Sequence, residues 1–520
     1  MRHVRWSLWL TVGALAGTPA LAVAQLAPVG TPKGLIRLEL GGGFTSADSR
    51  YLDGVEQDLA GDWNGAIGST MLPGLATAEQ QIRQLSGNSN SNLSLGRASV
   101  LSTYQAGRTV IGMSYGLTGR LSVFGRLPII RVRTQETLKQ DSVSANAGFN
   151  PADPVFGSPT GAADAATFFT GFNSALTTLA GKIAAGDYDA NPTEKALAQQ
   201  TLATGTALRD GLYGLISDPN GASPVLPVAT SSAGLAILSQ ITSLQGTLSG
   251  SLGVSGFASL PDLPAQRFGP GDFTNLLTNP LGPGNAILLD GMIRNRQGDA
   301  ELGATYTLVD HWREDGGTAF RLAATGLVRL PTGVVPVAGI LFDRGTGDGQ
   351  TDVEGSLVAD IGRGSLGARI TADYNDQLPG TVTRRVAAPT AALAWASTTA
   401  PVRWDPGNEF TLTIAPYFRL VDGFAATGGA TFWSHGSDQV SYASTPAPGA
   451  PPASLLALDT KASATMLEGG FLFSSSGARG GKGLPVEAHW TYQFVASAAS
   501  GRVDKTRRTA IEFRVYYRVR

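Results

Sequence analysis

Residues at the C-terminus change character one by one. Ile511, Phe513, Val515, Tyr517 and Val519 are apolar, and Glu512, Arg514, Tyr516 and Arg518 between them are polar. Side chains along a β-strand point alternately to opposite faces, so this segment has one oily face and one polar face. A soluble sheet alternates in the same way, and one such strand decides little. Repetition decides more. Ala488, Trp490, Tyr492 and Phe494 alternate with Glu487, His489, Thr491 and Gln493, and Leu467, Phe471 and Phe473 with Glu468 and Ser474. The same beat sets Phe410, Leu412, Ile414 and Phe418 against Thr411, Thr413 and Arg419. It recurs in Leu366 to Tyr374, Val353 to Ile361, Phe320 to Leu330 and Leu302 to Leu308. Further strands are expected at 34–44, 96–116, 119–134 and 424–435. The segments run about 9–14 residues, the length a tilted strand needs to cross a bilayer.

The connections alternate too. Gly116–Gly119, Asp310–Gly317, Gly362–Gly364, Val421–Gly423 and Gly477–Leu484 are short. Those at 45–95, 135–297, 332–349, 376–408, 437–462 and 498–505 are mostly long. Short turns at one rim and long loops at the other fit a barrel of a Gram-negative-type outer membrane, with the short turns in the periplasm. The sequence therefore predicts an all-β membrane protein, an antiparallel up-and-down transmembrane β-barrel of about twelve strands, porin-like in build. An even count leaves both termini in the periplasm.

Composition agrees. There is no cysteine, so neither disulfides nor thiolate metal or redox sites are available. A closed barrel is held instead by its own hydrogen-bond ladder. Charged residues make up only 15% of the chain and the net charge is -1, without the basic excess of a nucleic-acid binder. Arg2 and Arg5, the apolar run Trp6 to Ala16 and the small residues Ala22-Val23-Ala24 read as a signal peptide cleaved after Ala24. The expected organisation is a signal peptide at 1–24, barrel strands at 25–134, a helical insertion at 135–297 and barrel strands at 298–520.

The insertion does not alternate. Phe168, Phe172, Leu176, Leu179 and Ile183 fall at helical spacing within Asp164–Ala185. Thr193–Ile216 and Ser232–Leu252 carry similar stripes, and a smaller helix is expected at Leu75–Leu85. The insertion is predicted to lie in an extracellular loop, as a cap over the barrel, a plug within it or a binding surface. Within 119–134 the alternation slips, since Arg131 and Arg133 land on the face of Leu121, Val123 and Leu127. Pro128 lies between, so a bulge at Pro128–Ile130 is expected to turn both arginines inward.

The polar faces point to the lumen. They carry Arg37, Glu39, Arg126, Glu301, Arg321, Arg329, Asp352, Glu354, Asp360, Arg369, Asp373, Arg419, Glu468, Glu487, Glu512, Arg514 and Arg518. Opposite charges on adjacent strands are expected to pair, neutralising one another and fixing register. The functional alternative is a polar path with a transverse field for a permeating solute. The four histidines, His3, His311, His435 and His489, are scattered, and the aspartates of Asp343–Asp352 do not fit a calcium loop. No cofactor is expected. Gly112-Met113-Ser114-Tyr115-Gly116 matches a nucleophile-elbow string, but it lies late in a strand before a hairpin instead of at a strand-to-helix turn. His435-Gly436-Ser437 resembles the catalytic pair of an outer-membrane phospholipase, without an asparagine in the next strand to orient the histidine.

Met113-Ser114-Tyr115-Gly116-Leu117-Thr118-Gly119-Arg120-Leu121 with Arg126-Leu127-Pro128 resembles the first hairpin of the outer-membrane barrels named after the meta-pathway of phenol degradation. Gly298 to Tyr306, Val328 to Gly333 and Gly345-Thr346-Gly347-Asp348-Gly349 resemble the middle of that family. The resemblance covers roughly 96–134 and 298–375, and loosely the rest of the C-terminal half, and leaves out 135–297. It implies kinship with outer-membrane transporters of fatty acids and aromatic hydrocarbons, and hence a channel for small solutes of hydrophobic or aromatic kind and no enzyme activity. The expected partners are outer-membrane lipid, a small-molecule solute and the barrel-assembly machinery. The machinery's usual C-terminal aromatic is replaced by Arg520, with Phe513, Tyr516 and Tyr517 close by. The alternatives are an adhesion or interaction protein that uses the barrel as anchor, and a barrel phospholipase built on Ser437.

Overall fold

The computed structural model describes residues 29–285, 293–311, 318–421, 423–475 and 485–518. The signal peptide with its cleavage site, Val519, and most of the Asp310–Gly317 and Gly477–Leu484 turns lie outside the described residues.

Twelve strands form the wall: β1 (Leu35–Ala47), β2 (Arg97–Gly116), β3 (Leu121–Asp141), β4 (Ala300–His311), β5 (Thr318–Leu330), β6 (Asp352–Arg363), β7 (Leu366–Gln377), β8 (Glu409–Val421), β9 (Phe424–His435), β10 (Ala462–Ser474), β11 (Val486–Ser500) and β12 (Arg507–Arg518). Each pairs antiparallel with its sequence neighbours. The ring closes where β1, already paired with β2, also pairs with β12, from Leu35↔Arg518 to Ser46↔Arg507. Closure leaves no open edge along the paired strands, so their ladder is satisfied from strand to strand without water.

Alternation becomes inside and outside. Leu38, Leu40, Ile111, Met113, Leu302, Leu357, Phe410, Phe471, Ile511 and Phe513 all stand exposed on the outer face. Phe424, Phe471 and Trp490 stack across β9, β10 and β11, with centroids 5.7 and 5.9 Å apart. An exposed apolar belt of this extent is stable only against lipid, and the chain is a transmembrane β-barrel. No helix among the described residues is long and apolar enough to span a membrane. The first and last wall strands begin and end on the short-turn rim.

The predicted bulge in β3 is not there, and this corrects the inward placement of two arginines. β3 keeps one register against β2 from Gly116↔Ser122 to Arg97↔Asp141. Arg131 and Arg133 stay on the outer face and are exposed. The irregularity lies in the partner instead. Between Arg126↔Glu301 and Ile129↔Gln297, three residues of the facing chain oppose two of β3. Pro128, which has no N–H to give, falls at this change of partner. The two arginines sit level with the last residues of β1, Arg131 opposite Gly107 and Arg133 opposite Gln105, which pair with Phe44 and Ser46, next to where the β2–β3 ribbon continues alone.

That ribbon supports a folded cap at the long-loop rim. Five helices build it: α1 (Ala76–Ser86), α2 (Pro159–Ala185), α3 (Pro192–Ile216), α4 (Ser232–Gly246) and α5 (Pro270–Thr278). Their starts are locally encoded. Ser158 and Asn191 accept hydrogen bonds from the first turns of α2 and α3, and Pro159 and Pro192 open the helices. The predicted stripe Phe168, Phe172, Leu176 and Leu179 is buried. α2 and α3 approach closely at Gly205, where a Cβ would stand 2.9 Å from Leu176 Cδ2. Ala98 and Val100 of the ribbon and Leu341, Phe342 and Leu393 of other loops join the same core, so the cap is fastened to several parts of the rim.

Candidate functional site

Lumen-facing side chains converge on a ring of ion pairs. Glu39 of β1 lies 2.7 Å from Arg37, 3.1 Å from Arg126 of β3 and 3.6 Å from Arg514 of β12. Glu301 of β4 meets Arg108 of β2 at 3.3 Å and Arg126 and Arg329 at 3.7 Å each. Arg329 of β5 donates to Asp352 at 2.6 Å and to Glu354 at 3.0 Å, both on β6. On the other side Arg514 donates to Glu512 at 2.6 Å and comes within 3.9 Å of Glu487 on β11. Tyr516 donates to Glu487 at 2.9 Å. A continuous network thus runs from β11 through the closure to β6.

These side chains are almost dry. Glu39 and Arg329 are 7% and 4% exposed, and Arg514 2%. Buried charges persist only when paired; here Glu39 and Glu301 are each shared among three guanidinium groups, and Arg329 and Arg514 each serve several carboxylates. The pairing expected from the sequence is therefore present. Arg369 grips Asp360 through two hydrogen bonds of 2.6 and 2.7 Å, and Arg321 donates to Asp310 at 3.0 Å. Glu468 accepts from Gln493 at 3.2 Å. Asp373 is buried on β7, and Arg419 is half-buried on β8. Arg518 stands exposed at the short-turn rim, outside the packed ring.

The ring is not symmetric. Arg37, Arg108, Arg126, Arg508 and Arg514 occupy four adjacent strands, β12 to β3. Glu354, Asp360, Asp373 and Glu409 occupy β6 to β8 across the lumen.

Two further seals close the ends, and neither is legible as periodicity. At the short-turn rim the segment Val29–Lys33 enters the lumen. Arg37 donates to the Val29 carbonyl at 3.1 Å, and the Thr31 and Ser114 hydroxyls are 2.5 Å apart. Gly34, at φ 73°, turns the chain from this segment into β1, a conformation suited to glycine. At the opposite mouth Asp62 binds Arg50 at 2.5 Å and Arg502 at 3.0 Å, and Arg344 reaches Asp504 at 2.8 Å. Trp63 packs on Phe342 above them. Cavities of about 60 Å³ beside Arg126 and Arg369 and about 40 Å³ beside Arg50 and Arg502 remain. Both are smaller than the roughly 150 Å³ that admits a benzene ring.

No protein-family model and no curated protein matches the sequence. Among solved structures the chain is similar to an outer membrane channel from Pseudomonas putida F1, at 9% identity over 96% of this chain and 100% of that one, with a TM-score of 0.43. It is similar to the monoaromatic hydrocarbon channel CymD at 10% identity over 94% and 90%, TM-score 0.26. The transport unit of the autotransporter AIDA-I from Escherichia coli follows at 6% identity over 99% of each chain, TM-score 0.32. Similarities at this level concern architecture, and the functional reading rests on the chain's own residues.

The catalytic look-alikes do not assemble. Ser114 is buried against Thr31. His435 points Nδ1 to the Thr460 carbonyl at 3.1 Å and Nε2 towards Asp438 at 3.7 Å. Among the described residues no hydrogen bond joins Ser437 to His435. No group of three or more potential metal ligands occurs among them either.

Proposed function

We propose that the protein is an outer-membrane channel or transporter for small solutes, held shut in the described conformation and opened by movement of its N-terminal segment and loops. The long-loop rim with its cap faces the outside and the short-turn rim the periplasm, as expected for a chain delivered by a signal peptide. The resemblance to barrels of the phenol meta-pathway supports small hydrophobic or aromatic compounds as solutes.

One observation carries the reading. The lower end of a polar lumen holds the segment Val29–Lys33, which meets the wall through Arg37, Ser114 and Gly116 and is not part of the wall ladder. A barrel serving only as an anchor has no need of a removable stop. The chain lacks cysteine, so Thr31→Cys with Ser114→Cys makes a clean reversible lock. Liposomes containing this variant should take up a small aromatic solute when reduced and stop when oxidised. Absence of uptake in both states, and in the unmodified protein, would overturn the channel reading.

A further inference from the structure

A third cavity lies outside the lumen, at the long-loop rim. It measures about 550 Å³ and is bounded by the apolar stretch Val335–Ala338, by Asp348, and by the hairpin that carries Val382, Arg384 and Trp404. That volume falls within the roughly 300–1,000 Å³ of small-molecule sites. The hairpin pairs Gly380–Arg385 with Thr399–Asp405, which puts Trp404 and Arg384 on one sheet. Trp404 is fixed, because its Nε1 donates to Asp438 at 2.7 Å. The Arg384 guanidinium carbon lies 3.8 Å from the centre of the indole ring.

We propose that this cleft is a binding site for a small, flat carboxylate with an apolar body, of the benzoate class. Stacking occupies a face of the guanidinium and leaves its in-plane N–H groups free for a two-point bond to a carboxylate. Among the described residues Arg384 makes no ion pair or hydrogen bond. An unpaired cation in an apolar cleft is costly for an uncharged hydrocarbon ligand and useful for an anion. Val335 and Val337, 39% and 46% exposed, offer the apolar body a wall.

The opposing charges are accounted for. Asp438 is tied to the Trp404 indole and the Gly407 N–H. Asp348 accepts from the Gln350 N–H, and its burial and the charge of Asp352 push its carboxyl up to about 6. It is therefore neutral below that pH and repels the ligand less, so affinity for benzoate rises as pH falls from about 7.5 to about 5.5. The site stands independently of transport, since it is read by equilibrium binding.

Calorimetric titration of benzoate into the detergent-solubilised full chain tests it, with toluene as the uncharged control. Benzoate should bind one to one and more tightly than toluene. Arg384→Gln should weaken benzoate by about tenfold to a hundredfold, the loss of a charge-assisted pair, and leave toluene unchanged. Val337→Trp, which fills the cleft from an exposed position, should abolish binding. Benzoate binding indifferent to both variants, no benzoate binding at all, or toluene bound as well as benzoate would overturn the proposal. Heat-modifiable migration of each variant shows that the barrel has folded.

Discussion

Asp62 accepts both terminal guanidinium nitrogens of Arg50, at 2.5 and 3.0 Å, and neither side chain is more than 1% exposed. Arg502 reaches the same carboxylate at 3.0 Å. One carboxylate therefore serves two buried cations at the barrel mouth. Asp62→Ala removes this shared partner, at a cost of about 3–5 kcal/mol. Residues 50–63 should then detach from the mouth, and amide hydrogen exchange there should rise while the wall strands stay protected.

Glu39 holds the closure together, because it binds Arg37 on its own strand, Arg514 on β12 and Arg126 on β3. Glu39→Gln should lower the temperature at which the folded, fast-migrating form converts in detergent gels. Arg126→Met added to Glu39→Gln should be less harmful than the sum of the two single changes, since the second change removes a cation that has lost the nearer of its two carboxylates. Strict additivity would show that the ring is not a coupled network.

The cap has its own apolar core and should fail separately from the barrel. Phe168 and Phe172 are fully buried there and pack with Phe257, at 5.7 and 4.5 Å between centroids. Phe172→Ala should cost the cap about 3–5 kcal/mol. Limited proteolysis should then cut within 159–285 at lower temperature, with the heat-modifiable barrel band unchanged.

Asp348 gives the outer rim a pH dependence. Burial, followed by the charge of Asp352, raises its folded pKa to about 6 from an ordinary 3.8. A raised carboxyl pKa gives stability that is complete below the unfolded value and lost as pH climbs through the folded one. The rim should weaken by up to about 3 kcal/mol between pH 4 and pH 7. Hydrogen exchange over 345–351 should quicken across that interval, and Asp348→Asn should flatten the response.

The wall was legible because lipid imposes a rule on every second residue. Leu302, Phe410 and Ile511 face out for the same reason, and all twelve strands follow from such residues. Helices of the cap were legible from stripes such as Phe168–Phe172. Signals ended where that rule ended. Near the top of β1 the arginines Arg131 and Arg133 face outward, and the inward bulge inferred for them was wrong, because β3 runs on in one register to Asp141. Pairs between adjacent strands, Arg329–Asp352 and Arg369–Asp360, could be read from alternating charge. Contacts that skip a strand, such as Arg126–Glu39 over Gly112 of β2, could not, because they need a missing side chain on the strand between, which alternation does not report. The seals at Thr31 and Asp62 come from irregular chain, where no period reports a destination.

The central claim is a conducting lumen stopped by its own chain, and planar-bilayer recording tests it most directly. The refolded full-length barrel should be mostly silent. A chain that begins at Gly34 and carries Asp62→Ala lacks both end seals and should show sustained stepwise conductance. If that variant migrates as a folded barrel and is as silent as the parent, the wall itself fills the lumen and the barrel is not a channel.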